Sequence, residues 1–212
     1  MRGEPSCPRC AGRVRAPGLF SDTWQCDLHG AVHPMQPVLP PSIEALNVAV
    51  NRSQVPVWLP WPLPVGWLFT GIAHAGDDLS GARATAVACS GPAPLGGFGE
   101  LVLVAEEPGI GLGARYAGLD GPDPGDSVGL YKPADAKLMA AGRPTPMFHV
   151  PGAPDDRAVY VGEARGLWLW AVAWPEQSAL LMHDELVLTD LRDAGAELGL
   201  LPCGALTPRL LG

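Results

Sequence analysis

The runs Ala158-Val-Tyr-Val-Gly-Glu163 and Leu167-Trp-Leu-Trp-Ala-Val-Ala-Trp174, set either side of Ala164-Arg165-Gly166, decide the fold. Both are rich in β-branched and aromatic residues, and a short glycine-containing link between two such runs signals a hairpin. Side chains alternate across a strand, so Trp168, Trp170, Val172 and Trp174 share one face and Leu167, Leu169, Ala171 and Ala173 the other. Both faces are apolar. Such a strand lies inside a sheet that is covered on both sides.

Leu101-Val-Leu-Val-Ala105 is a second run of this kind, stopped by Glu106-Glu107-Pro108-Gly109. Trp67–His74 and Arg83–Cys89 read as two more strands joined through Gly76-Asp77-Asp78. Pro175 opens a short helix, Glu176–Met182, with its acid at the favourable end. Leu186–Leu188 resumes a strand, and Asp190–Leu198 reads as helical before Gly199. Ser42 caps a helix running to Val50, with Ile43, Leu46 and Val50 at helical spacing. Strands dominate, helices are short, and no βα period repeats. The expected class is α+β on a mainly antiparallel sheet.

Between residues 55 and 67 the chain reads Val-Pro-Val-Trp-Leu-Pro-Trp-Pro-Leu-Pro-Val-Gly-Trp. These prolines forbid a helix or a central strand. The tryptophans call for cover, so the expectation is an extended arm across a sheet face or edge. The other reading is an exposed docking surface at Trp58 and Trp61.

The amino-terminal stretch differs. Cys7-Pro-Arg-Cys10 and Cys26-Asp-Leu-His29 each hold two residues between partners and stand fifteen residues apart. Two tight turns that aim soft ligands at one point are what a tetrahedral zinc site needs. His29 repeats the spacing of the first pair, and His33 is the alternative fourth ligand. A Cys-Pro-X-Cys redox dithiol would follow a strand and open a helix, whereas Arg-Val-Arg follows here. Buried thiols without a metal are the remaining alternative. A closed site of four ligands is structural. The expected organisation is a zinc ribbon over 1–34, a Pro/Trp-rich linker and arm over 35–66, and the α+β domain over 67–212. Four prolines between Val32 and Pro41 make the start of that linker a stiff spacer.

Composition narrows the function. Net charge is −8, and residues 1–40 hold four arginines against three acids, so the acidity belongs to the body. A body of that sign does not suit a phosphate backbone, which leaves only Arg9, Arg13 and Arg15 of the ribbon as a nucleic-acid contact. Five cysteines without regular spacing do not form a disulfide framework. The opening residues hold no apolar stretch of signal-peptide type, and no run approaches a membrane span. A cytoplasmic protein is expected.

Candidate chemistry elsewhere is sparse. Gly109-Ile-Gly-Leu-Gly113 has one residue too few before its last glycine for a dinucleotide fingerprint, and Gly96-Gly-Phe-Gly99 lacks the lysine of a phosphate loop. His74 with Asp77 and Asp78, and His183 with Asp184 and Glu185, are candidate base or metal clusters; aspartates also gather in turns for local reasons. Cys89-Ser90 lacks the surroundings of a nucleophile elbow.

Four stretches together resemble an uncharacterised actinobacterial family with an amino-terminal zinc ribbon. They are Met1–Cys10, the Pro56–Trp67 arm, Ala84-Thr-Ala-Val-Ala-Cys-Ser-Gly-Pro92 and Val159–Trp170. Some of its members carry a phosphotransacetylase label. The resemblance covers nearly the whole chain. It implies an amino-terminal zinc ribbon and carries no mechanism; the first expectation is a binding or regulatory protein that engages a protein partner or small ligand. The label implies the alternative, an acyl- or phosphoryl-transfer enzyme with its site in the glycine-rich loops of residues 91–113. A pocket lined by His74, Glu106 or Arg115 would favour the enzyme.

Overall fold

The computed structural model describes residues 3–19, 21–125, 128, 132–183 and 186–211. Met1, Arg2, Phe20, Asp184 and Glu185 lie outside them, so the cluster expected at His183 stands on one described residue. Three two-residue strands come first: β1 (Val14–Arg15), β2 (Gln25–Cys26) and β3 (Gly30–Ala31). Helix α1 (Ile43–Arg52) starts where Ser42 Oγ accepts the Ala45 N–H at 3.1 Å. Then follow β4 (Trp58–Pro60), β5 (Leu68–Asp77), β6 (Gly81–Pro92), β7 (Phe98–Glu106) and the short helix α2 (Leu112–Ala117). The chain closes with β8 (Ala136–Ala140), β9 (Arg143–His149), β10 (Ala158–Ala164), β11 (Leu167–Trp174) and β12 (Val187–Asp190), with 3-10 helices at Glu176–His183, Gly195–Leu200 and Pro208–Leu211.

Nine strands form one sheet in the order β4-β12-β8-β9-β10-β11-β7-β6-β5. Every neighbouring pair is antiparallel except β12 with β8. The class is mixed α+β. The hairpin read first from sequence pairs Ala158 with Ala173 through Ala164 with Leu167. Its two-residue turn holds Arg165 at φ 57° and Gly166 at φ 77°, the left-handed pair that matches strand twist. On the other side β11 pairs with β7 over seven residues, so both its edges are filled.

Alternation on β11 divides the core. Leu169, Ala171 and Ala173 join Phe69, Val87, Leu101, Leu138 and Trp58 on one face. Trp170, Val172 and Trp174 join Val102, Val104, Leu112 and Tyr116 on the other. Trp58 and Leu188 come from one end of the sheet and Phe69 and Val87 from the other, so the sheet curls far enough for its ends to share a core. Each tryptophan or leucine so buried stabilises the fold by about 1.5–3 kcal/mol.

Of three local expectations, the arm along a sheet edge stands and the other two change. The Pro/Trp arm contains a strand, β4, but an edge one, with Pro60 opposite Leu188 where no second neighbour asks for an N–H. Trp58 is 1% exposed and Trp61 half-buried, so no flat aromatic surface stands there. Asp190 ends β12 instead of opening a helix. Its buried carboxylate accepts the Val57 N–H at 3.1 Å and meets Arg165 at 2.8 Å and Arg192 at 2.7 Å, which keeps the chain extended beside the arm.

The segment expected as a stiff spacer is stitched to the sheet. Met35 bridges Ser6 on one side and Ala75 of β5 on the other. Gly76 N–H donates to Pro34 O and Gln36 N–H to His74 O, which covers one end of an otherwise open edge strand. The chain near Cys203–Thr207 covers the other end. No described helix is long and apolar enough to cross a membrane.

Candidate metal centre

Each Cys-X-X pair forms a knuckle. In the first, Ala11 N–H donates to Cys7 O and Cys7 N–H to Gly12 O, and the backbone N–H groups of Arg9 and Cys10 act on the Cys7 sulfur to lower its pKa. In the second, those of Leu28 and His29 act on Cys26 in the same way. Gly30 leaves that turn at φ 67°. β1 and β2 join the knuckles, pairing Val14 with Cys26.

The result is four ligand atoms within 4.8 Å of one another, from Cys7, Cys10, Cys26 and His29. Cys10 Sγ and Cys26 Sγ are 3.8 Å apart, and His29 Nδ1 lies 3.5 Å from Cys7 Sγ and 3.6 Å from Cys26 Sγ. An ion about 2.3 Å from sulfur and about 2.0 Å from nitrogen, at tetrahedral angles, separates two sulfurs by about 3.8 Å and sulfur from nitrogen by about 3.5 Å. These three separations suit such an ion. His33 is not in the set; it faces a shallow recess beside Asp22, Trp24 and Asp77.

With protons alone, the ligands oppose one another. Burial pushes the Cys7 thiol up to about 11. Burial also acts on Cys26, but the N–H groups of Leu28 and His29 and the His29 ring outweigh it and bring the thiol down to about 6. A divalent cation removes the conflict by holding every sulfur as thiolate.

The arginines of the amino-terminal segment have partners. Arg13 pairs with Glu4 and Arg15 with Asp27 on the open surface, contacts that contribute little to stability. Arg9 does not line a solvated face. It reaches out of the first knuckle to donate from Nη2 to Gly109 O and from Nε to Ile110 O, the latter at 3.2 Å. A Cβ on Gly111 would stand 2.8 Å from Arg9 Cγ, so that glycine makes room for the latch.

The glycine-rich turn therefore receives the amino-terminal segment. Beyond it, Glu106 is fully buried and accepts the N–H groups of Leu112 and Gly113 at 2.8 and 3.1 Å. These are the amides that a phosphate at this turn would need. A Cβ on Gly113 would lie 2.3 Å from the Trp170 ring, so this glycine serves close packing. Burial raises the Glu106 carboxyl to about 7, against those amides and the Trp170 indole N–H, which lies near without completing a hydrogen bond. A carboxyl raised from 4.5 stabilises the fold most below pH 4.5 and loses that contribution as pH climbs through 7. Relative to Glu106→Gln, wild type should gain about 3 kcal/mol between pH 8 and pH 4. Urea unfolding of both proteins at the two pH values checks this, and a constant difference would contradict it.

The other candidates separate. Cys89 is buried with its thiol pushed far up, and Ser90 is bonded to Thr70 at 3.0 Å, so neither is a nucleophile. Arg115 donates to Met35 Sδ. Asp77 caps its own turn through Leu79 and Ser80, and Asp78 pairs with Arg52 at 2.8 Å. His74 lines a groove of about 600 Å³ between the amino-terminal segment and α1, but Glu106 and Arg115 do not share it. Neither Arg9's latch nor this groove has a local sequence signal.

No curated protein and no solved structure matches the chain. A family model, described as a family of unknown function (DUF6758), matches residues 1–210, and the chain belongs to that family.

Proposed function

We propose that residues 1–34 are a zinc ribbon with a closed, structural site. In this reading residues 35–66 are the packing arm, and residues 67–212 the body of a ligand-binding protein of the cytoplasm. The observation that carries the reading is the convergence of three sulfurs and one imidazole nitrogen within 4.8 Å of one another, together with Arg9 projecting from the same knuckle onto Gly109 and Ile110. Four protein ligands leave no open position for a substrate, so the ion's work is to fold the ribbon. Three two-residue strands bury too little to fold alone. Zinc then sets Arg9, Met35 and Trp24 against the body, and the ribbon becomes one wall of the groove at His74. The alternative, acyl or phosphoryl transfer in the loops of 91–113, meets a turn whose amides are already bonded to Glu106.

The test is hydrogen exchange before and after removal of zinc with a strong chelator at pH 7. Protection should fall by at least about a hundredfold at Cys7–Gly12 and Cys26–Ala31, and also at the Arg9-anchored turn 109–112, while β7, β10 and β11 stay protected. Unchanged exchange in the ribbon would overturn the reading.

A further inference from the structure

The three sulfurs that converge at the amino terminus are not equally covered. Cys7 and Cys26 are 0% and 4% exposed, whereas Cys10 is open to solvent. Gly12 keeps it open. A Cβ there would stand 3.1 Å from Cys10 Sγ. Gly12 is not in the left-handed region, so its backbone does not itself call for glycine. What the missing side chain gives is access to the sulfur.

The sulfur facing Cys10 belongs to the other knuckle: Cys26 Sγ, at 3.8 Å. Cys7 Sγ lies instead beside the His29 ring, 3.5 Å from Nδ1. A disulfide holds its sulfurs about 2.0 Å apart, so joining Cys10 to Cys26 draws the two knuckles together by about 1.8 Å. Arg9 is the neighbour of Cys10, and it holds Gly109 O and Ile110 O. Moving Cys10 across the hairpin therefore pulls on the residue that ties this segment to the glycine-rich turn.

We propose that Cys10 is a site of oxidation by hydroperoxides, with Cys26 as the resolving thiol, and that the disulfide between them releases the Arg9 latch. The proposal rests on the metal site inferred above, because bound zinc keeps both sulfurs as thiolates, the nucleophilic form. The Cys10 sulfur attacks the outer oxygen of hydrogen peroxide; an S–O bond forms, the O–O bond breaks and hydroxide leaves. The Cys26 sulfur then attacks the Cys10 sulfur; the S–S bond forms, the S–O bond breaks and a second hydroxide leaves. Two thiolates have given up two electrons and the peroxide has taken both. Cys7 and His29 remain, too few to close a tetrahedral site.

The test treats the full chain with excess hydrogen peroxide at pH 7, after its zinc content has been measured. Released zinc, free thiols and disulfides are followed together, the last two by differential alkylation and peptide mass spectrometry. Cys10 should be modified first, ahead of the exposed Cys203, and Cys10–Cys26 should be the first disulfide, with one zinc released for each. Amide exchange at residues 109–112 should rise at least about tenfold in the oxidised chain and fall again with a dithiol and zinc. Gly12→Ala keeps all four ligands and should slow disulfide formation at least about threefold. If that variant loses its metal, the order of modification in the wild type still decides. Modification of Cys203 first, a Cys7–Cys10 disulfide first, a zinc-loaded chain left intact, or unchanged exchange at 109–112 in the oxidised chain would each overturn the proposal. A chain isolated without zinc contradicts the metal reading instead. A Cys10–Cys26 disulfide formed in that chain would leave the oxidation site standing, and its absence would remove both.

Discussion

Cys26→Ser is expected to abolish metal binding and unfold the ribbon while the nine-stranded body remains folded. Cys26 is 4% exposed, and its sulfur lies among those of Cys7 and Cys10 and the His29 ring. A serine oxygen is shorter and does not ionise, so one of the three sulfur ligands is lost. Binding of a structural zinc supplies about 10–16 kcal/mol of apparent free energy in small modules, far beyond what this ribbon's burial can replace. Two readouts check it. Trypsin should cut at Arg13 and Arg15 in the variant at low enzyme concentration, while wild type resists. Near-ultraviolet dichroism from the tryptophans of β11 should persist. A variant that keeps one metal per chain and resists trypsin would show that Cys26 is not a ligand.

The second large effect lies far from the metal. Asp190→Ala should destabilise the body by about 3–5 kcal/mol, because it leaves Arg192, Arg165 and the buried Val57 N–H without their shared acceptor. The arm is attached through that carboxylate, and Arg165 also lies over the Trp58 ring at 5.8 Å. Arg165→Gln should cost less, since its side chain is 42% exposed and only one of several partners goes. The pH dependence has a definite sign. Burial works to raise the Asp190 pKa, but the Arg192 guanidinium and the Val57 N–H outweigh it and set the pKa below 3.8. Its stabilisation is therefore present above pH 3.8 and fades as pH falls through the lower folded value. The stability gap between wild type and Asp190→Asn should narrow only in strong acid. A gap that already closes near pH 6 would contradict the assignment.

How far the sequence reveals this molecule depends on how local each cause is. The β10–β11 hairpin was legible because alternation, an Arg-Gly turn and two apolar faces all lie within seventeen residues. Ser42 announced α1 for the same reason, and the knuckle spacing brought out Cys7, Cys10, Cys26 and His29. The β8–β9 pair was not legible, because Pro144 and Pro146 interrupt its second strand. The structure accommodates both by pairing β9 with β10 only at Phe148 and His149. Asp190–Leu198 misled because its helical pattern takes no account of two arginines and an arm brought to Asp190 from elsewhere. Arg9 reads as one of three ribbon arginines until Gly109 and Ile110, a hundred residues later, are placed beneath it. The groove draws on Trp24, Leu39, Val48, Arg52 and His74 from four separate segments, and no window of sequence contains their meeting.

The proposed site holds a single zinc ion on three sulfurs and one nitrogen, and elemental analysis joined to zinc-edge X-ray absorption on the whole chain tests this. One zinc per chain is expected, with three sulfur neighbours at about 2.3 Å and one nitrogen at about 2.0 Å. A chain without metal whose Cys10 and Cys26 thiols react freely would contradict it, as would a zinc bearing a bound water in place of His29.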